Sequence, residues 1–322
     1  MKKKYLNLLS MACVGIVLAS CSSSDDNTEP QPKDSPYINK VYEFKPAYGQ
    51  FVNELPAYHD GDTEQAMLAK VNKALVGPNT EMISLGGFGG YVVFGFDHMI
   101  ENKEGLRDFK VLGNAFYSAT KASISKGASS EPGIIMVSYD ENKNGKPDDK
   151  WYEIAGSEYN NKESIRNYEI TYYRPEVEDK EVREEYIRWT DSEGNEGWIP
   201  KNTYHRQSYF PNWIAKDQKS ITFKGTLLPA NAEKKGTDEN ENWVSYPYEY
   251  GYADNMPNSS DESAIDINWA VDENGKSVNL PGIHFVKVYT AVHQQAGWLG
   301  EISTEVLGAY DLHLKGEVVK TR

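Results

Sequence analysis

The 322-residue chain is poor in cysteine, in histidine and in long apolar runs. Its two cysteines are Cys13 and Cys21, and both lie in the first 21 residues. The rest of the chain therefore cannot form an internal disulfide, whatever its redox compartment. The six histidines, His59, His98, His205, His284, His293 and His313, are scattered and have no metal-ligand spacing. Gly-x-Ser-x-Gly, His-Glu-x-x-His and Cys-x-x-Cys are all missing, so nothing in the sequence signals a nucleophile elbow, a zincin or a redox pair. On these grounds the protein is not expected to be an enzyme. Forty-eight acids nevertheless leave a glycosidase-like carboxylate pair open. Basic residues are also few, giving a net charge of −14, which disfavours nucleic acid and anionic lipid as partners.

The longest apolar run, Leu8 to Leu18, is too short to span a bilayer comfortably. It follows Lys2, Lys3 and Lys4 and leads into "LASC", ending at Cys21. A basic start, a short apolar core and small residues before a cut site make a secretory signal over 1–20. The Leu-Ala-Ser-Cys ending resembles a bacterial lipobox, in which the cysteine is lipidated and becomes the mature N-terminus. The alternative is an ordinary cleaved signal. Loss of the signal removes three lysines and no acids, taking the net charge from −14 to −17. Residues 21–36, "CSSSDDNTEPQPKDSP", have no apolar run and are expected to form a disordered tether. Asp25 and Asp26 behind the cysteine resemble a surface-export signal of Bacteroidetes lipoproteins, or are simple linker composition. The expected location is the outer membrane, held by lipid alone and facing the exterior.

Residues 37–322 are expected to form an all-β, jelly-roll-like β-sandwich with long loops and one short N-terminal helix. The helix lies in "DGDTEQAMLAKVNKALVGP", with Asp62 as N-cap and an apolar face of Met67, Leu68, Val71 and Leu75. "RNYEITYY", "AIDINWAV" and "YDLHLK" alternate as half-buried strands do. "YVVFGF", "GIIMVSY" and "FVKVYTAV" are continuous apolar runs, as in strands buried on both faces. Residues 176–202 look like an insertion ending in a hairpin, and 231–242 like a charged surface loop.

Two stretches carry candidate chemistry. In "YDENKNGKPDDKWYE", Asp140, Asn142 and Asn144 place oxygen at alternate positions. Gly145 supplies a turn, Lys146 a carbonyl, and Asp148 and Asp149 further carboxylates. These are the oxygen donors that calcium takes. Trp151 replaces the closing glutamate of an EF-hand, and strands rather than helices flank the loop, so the expected form is strand–calcium loop–strand, with Glu153 a possible closing ligand. The alternative is a solvated turn. The other stretch, Asn242 to Ser263, concentrates Trp243, Tyr246, Tyr248, Tyr250 and Tyr252. It reads either as an aromatic binding loop or as an edge strand with one aromatic face. "HQQAGWLGE" adds His293 and Trp298 as candidate contacts. The glycines of "LGGFGGYVVFGFDH" do not match a phosphate-binding loop; they read as a tight bend into a central strand.

"ISLGGFGGYVVFGFDH", "DFKVLGNAF", "SSEPGIIMVSYDENKNGKPDDKWYEIAGSEY", "NYEITYYRP" and "INWAVDENGKSVNLPGIHFVKVYTAV" together resemble a family of cell-surface lipoproteins of gut Bacteroidetes. The resemblance covers most of residues 40–316. It implies a ligand-capture role beside a TonB-dependent outer-membrane corrinoid transporter, with a cobamide such as vitamin B12 as ligand. A glycan is the alternative ligand, because sugars and corrin rings both accept aromatic faces. A glycan-cleaving hydrolase or lyase is the third class.

Overall fold

The computed structural model describes residues 34–79, 81–118, 127–237 and 240–322. The expected signal, Cys21 and the tether up to residue 33 lie outside the described residues. Asp34–Pro36, the end of the expected tether, already lie against the fold, where the Pro36 carbonyl accepts the Asp311 N–H at 2.8 Å.

The main sheet is antiparallel. Its strands run in the order Lys40–Lys45, Tyr91–Glu101, Gly282–Thr290, Gly133–Ser138, Trp151–Ile154 and Ala270–Val271, and Tyr252–Ala253 also pairs with Gly133–Ser138. A second sheet runs Glu196–Lys201, Arg183–Asp191, Ile165–Tyr173 and Ser220–Leu227. The chain is thus all-β and sandwich-like, as its strand pattern implies. The main sheet forms a middle layer. One face packs Val92, Phe94, Ile135, Val137, Val286 and Val288 against Met67, Val71 and Leu75 of helix α1 (Glu64–Leu75) and against Phe109. The other face packs Ile134 and Tyr289 against Tyr168, Ile170, Tyr172 and Phe223 of the second sheet. Burial on both faces explains the continuous apolar runs of the central strands.

Residues 176–202 supply the Arg183–Asp191 and Glu196–Lys201 strands, whose Ile187 and Ile199 are buried in the inter-sheet core. In the Gly-rich bend, Gly86 and Gly89 take positive φ. A Cβ on Gly90 would lie 1.9 Å from the Leu85 carbonyl oxygen, so only glycine fits there. The bend inserts Phe88 edge-on against Tyr168 and Tyr289.

Four local expectations need correction. The helix N-cap is Thr63, whose hydroxyl accepts the Ala66 N–H; Asp62 instead accepts from His59 and pairs with Lys70. "AIDINWAV" is not one strand, because Asp266 caps a single turn over Ile267–Trp269 between two short strands. "YDLHLK" ends as a one-turn helix α2 (Leu312–Lys315), since Asp311 accepts the His313 and Leu314 N–H groups. Residues 231–242 contain paired strands, Ala232–Thr237 and part of Asn240–Ser245. In each case a side-chain cap or a cross-strand partner outweighs the local pattern.

Candidate functional site

The Asp140 loop joins two paired strands, Gly133–Ser138 and Trp151–Ile154. Asp140 is its hub. One carboxylate oxygen accepts the Asn144 N–H at 3.1 Å and the other the Gly145 N–H at 2.9 Å. The Asn142 and Asn144 side-chain oxygens accept the next N–H groups along, on Asn144 and Lys146. Their amide nitrogens donate to Asp148, and Asn142 also to Asp149. Hydrogen bonds from Asn144 and Asn142 hold the Asp148 carboxyl below its usual range. The six residues singled out by spacing therefore share one compact loop. Glu153 does not. It points between the sheets, accepts from the Thr226 hydroxyl at 2.8 Å, and is pushed up to about 7 by burial.

The aromatic candidates separate. Tyr252 is a core residue, 3% exposed, and its hydroxyl accepts the Glu158 N–H. Tyr248 is pinned by its hydroxyl to the Pro229 carbonyl. Tyr250 packs on Trp269. Tyr246 and Tyr248 line a cavity of about 420 Å³ with Met256 and Arg322. His293 is wedged between Tyr172 and Trp189, and burial pushes its pKa down to about 4. Tyr252 thus packs in the inter-sheet core, and His293, just beyond the Gly282–Thr290 strand, packs between two aromatic rings. His98 is also engaged. Burial opposes its charge, but hydrogen bonds to Asp311 and Asp97 hold its pKa up.

Trp243 and Trp298 come together in a larger, open cavity of about 620 Å³. One wall is the small sheet containing Phe116 and the Asn242–Ser245 segment; the other is the segment from Trp298 to Glu305. At the mouth Trp298 is 46% exposed and Phe116 57%, and Tyr204 sets its ring edge-on to Trp298. Gln50, Asn114 and Asn242 add amide groups to the lining. Large exposed rings around a concave opening are the kind of surface that takes a ligand.

Beneath the rings lie carboxylates that the sequence reading missed. Glu131, Glu301 and Glu305 line the cavity, and carboxylate oxygens of Glu131, Asp254 and Glu305 lie within 4.8 Å of one another. Asp254 accepts the N–H groups of Asn114, Ala115 and Glu305 at 2.7–2.9 Å. Glu305 accepts from the Ser303 hydroxyl at 2.5 Å and from the Asn114 amide at 3.2 Å. Glu301 accepts the Gln50 N–H at 2.5 Å, yet its second oxygen is buried with no hydrogen-bond partner. Burial raises the pKa of all four acids, and the neighbouring acid charges raise Glu131, Asp254 and Glu305 further. Among the described ion pairs none involves these four residues. The one local signal was the alternation of Glu301, Ser303 and Glu305, which puts all three on one side of an extended segment.

Comparison with known proteins finds no family model and no curated protein that matches the chain.

Proposed function

We propose that this protein is a lipid-anchored, surface-exposed binding protein. It captures a ligand in the cavity lined by Phe116 and Trp298, whose ring Tyr204 packs against, and passes it to an outer-membrane transporter. The observation that carries this reading is the pairing of large exposed aromatic faces with an amide- and carboxyl-lined interior in one open cavity. Such a lining suits a ligand with an extended flat or apolar face and many N–H or O–H donors. A cobamide, with its ring and peripheral amides, fits that description and is the leading ligand. A glycan is the second reading, favoured by the carboxyl groups beneath the rings, which can accept from sugar hydroxyls. Cleavage of a bound glycan by those acids is the third. The Asp140 loop is proposed to hold a structural calcium through Asp140, Asn142, Asn144, the Lys146 carbonyl, Asp148 and Asp149, stiffening a hairpin that no disulfide ties.

Anchoring is tested by Cys21→Ala, which should release the protein from membranes; unchanged fractionation contradicts it. The ligand is tested by titrating the purified domain with cyanocobalamin and, separately, with a panel of oligosaccharides. A capture protein working at scarce ligand needs a dissociation constant near nanomolar, about −12 kcal/mol. Saturable cobamide binding with no glycan binding is the expected result. Glycan binding alone moves the ligand to the second reading, and glycan turnover moves the protein to the third.

A further inference from the structure

The acids at the floor of the large cavity need a compensating charge that the protein does not supply. Glu131, Asp254 and Glu305 converge from three separate parts of the chain, with their nearest carboxylate oxygens within 4.8 Å of one another. Three like-charged groups so close and so buried repel strongly unless protons or a cation neutralise them. No lysine or arginine is among the described partners of any of them.

Two features separate this cluster from an incidental gathering of acids. First, Asp254 is held by three backbone N–H groups, from Asn114, Ala115 and Glu305. Such donors stabilise a carboxylate rather than a carboxylic acid. The fold thus aims three donors at a carboxylate whose charge burial and the Glu305 charge oppose, at a site with no cation among its described partners. Second, Glu301 lies on the same cavity wall and is 6% exposed, and one of its carboxylate oxygens has no partner. A buried oxygen left unpaired costs about 1–3 kcal/mol, more if charged, and so marks a missing partner.

We propose that Glu131, Asp254 and Glu305 bind one calcium ion at the cavity floor, with Glu301 beside it, as a site separate from the Asp140 loop. Calcium–oxygen distances of about 2.3–2.6 Å allow ligand atoms on opposite sides of one ion to lie roughly 4.6–5.2 Å apart. Carboxylate oxygens within 4.8 Å of one another therefore fit around it. Magnesium, at about 2.0–2.1 Å and with strict octahedral geometry, fits less well. All three carboxylates become ligands, and protons they carry are released to solvent. Because Glu131 and Glu305 line the open cavity, the remaining coordination positions face it. An oxygen donor of a cavity ligand can then complete the shell. The proposal stands on the carboxylate geometry and does not depend on which ligand the cavity takes.

The test counts calcium per chain by equilibrium dialysis on the purified domain, without organic ligand. Three proteins are compared: the natural chain, a loop variant (Asp148→Asn with Asp149→Asn) and the loop variant carrying the floor substitutions Glu131→Gln and Glu305→Gln. The loop variant is expected to keep one calcium. In that same loop background, adding the floor substitutions should weaken the retained site at least tenfold. If the floor pair unfolds the domain, Glu305→Gln alone in the loop background gives the same reading. Terbium, added in place of calcium, should luminesce when Trp243 or Trp298 is excited in the loop variant, and Trp243→Phe with Trp298→Phe should quench it. No calcium bound by the loop variant, or calcium binding unaffected by the floor substitutions, overturns the proposal. Neither result bears on whether cyanocobalamin or a glycan binds.

Discussion

The Asp140 loop and the cavity floor are both built on carboxylates, and they differ in almost every other respect. The loop draws its groups from ten consecutive residues, leaves most of them exposed, and depresses the Asp148 pKa. The floor draws its acids from Glu131, Asp254, Glu301 and Glu305, half-buries the first and buries the others, and raises every pKa. The difference shows what sets the properties of an acidic site. Where water and amide donors surround a carboxylate, its charge is cheap and local. Where the fold removes water, the charge must be balanced by a proton or a cation, and the site becomes responsive to both.

The sharpest test of this contrast removes each hub. Asp254→Ala would leave three buried N–H groups without an acceptor, at about 1–3 kcal/mol each. That is a large part of the 5–15 kcal/mol that holds a typical domain together. We expect a severe loss of stability in urea or thermal melts. Asp140→Ala frees the Gly145 N–H, which water can reach in part, while the Asn144 N–H keeps Asn142, and about 1–2 kcal/mol should be lost. Equal losses for the two variants would break the comparison.

Calcium should separate the regions next. A chelator should lower the melting temperature, and calcium at a hundredfold its dissociation constant should restore about 2.7 kcal/mol per site. Asp140→Ala should remove the loop's share of that response. A melting curve indifferent to both chelator and calcium makes the loop a plain turn.

The smallest effect is the response to pH in chelator, and its sign differs between the regions. Glu301 is pushed up to about 7 from an ordinary 4.5 by burial. The folded state therefore keeps this proton after the unfolded chain has lost it. Its contribution to stability is fully present below about pH 4.5 and is lost as pH rises through about 7. Glu153 behaves alike. Asp148 runs the other way: its depressed pKa contributes stability above the ordinary aspartate value, and this is lost as pH falls below it. Glu301→Gln and Glu153→Gln should each flatten the decline between pH 4.5 and 7 without touching the acid limb. A decline that persists unchanged in both variants contradicts the assignment.

The same contrast explains how much could be read from the sequence. The loop was legible because its groups are contiguous and their spacing is their geometry. The central strands were legible too, since Val92, Val137 and Val286 sit in unbroken apolar runs that only a doubly covered sheet needs. The floor was hidden. Glu131 and Asp254 are distant in sequence from each other and from Glu305; pairing of the Gly133–Ser138 and Tyr252–Ala253 strands brings the first two together, and the Glu305 N–H bonds Asp254. Tyr252 was ambiguous for the opposite reason: aromatic residues at strand spacing serve a core and a binding face equally well, and here Tyr252 joins the inter-sheet core while His293 packs edge-on against Trp189. Trp298 is exposed on the single turn Gly297–Leu299, with Gly297 and Gly300 at positive φ on either side.

The account rests on the large cavity being the ligand site, and the most direct measurement is binding of cyanocobalamin to the natural domain and to Trp298→Ala. Trp298 is half exposed, and its described ring contact is edge-on with Tyr204, so its removal should leave the fold intact. An aromatic binding contact of this kind is worth about 2–4 kcal/mol, so the variant should bind roughly 30- to 1,000-fold more weakly at unchanged melting temperature. Unaltered affinity in the variant, with tight binding in both proteins, would contradict the account and move the ligand to another surface, the Tyr246–Tyr248 cavity first among them.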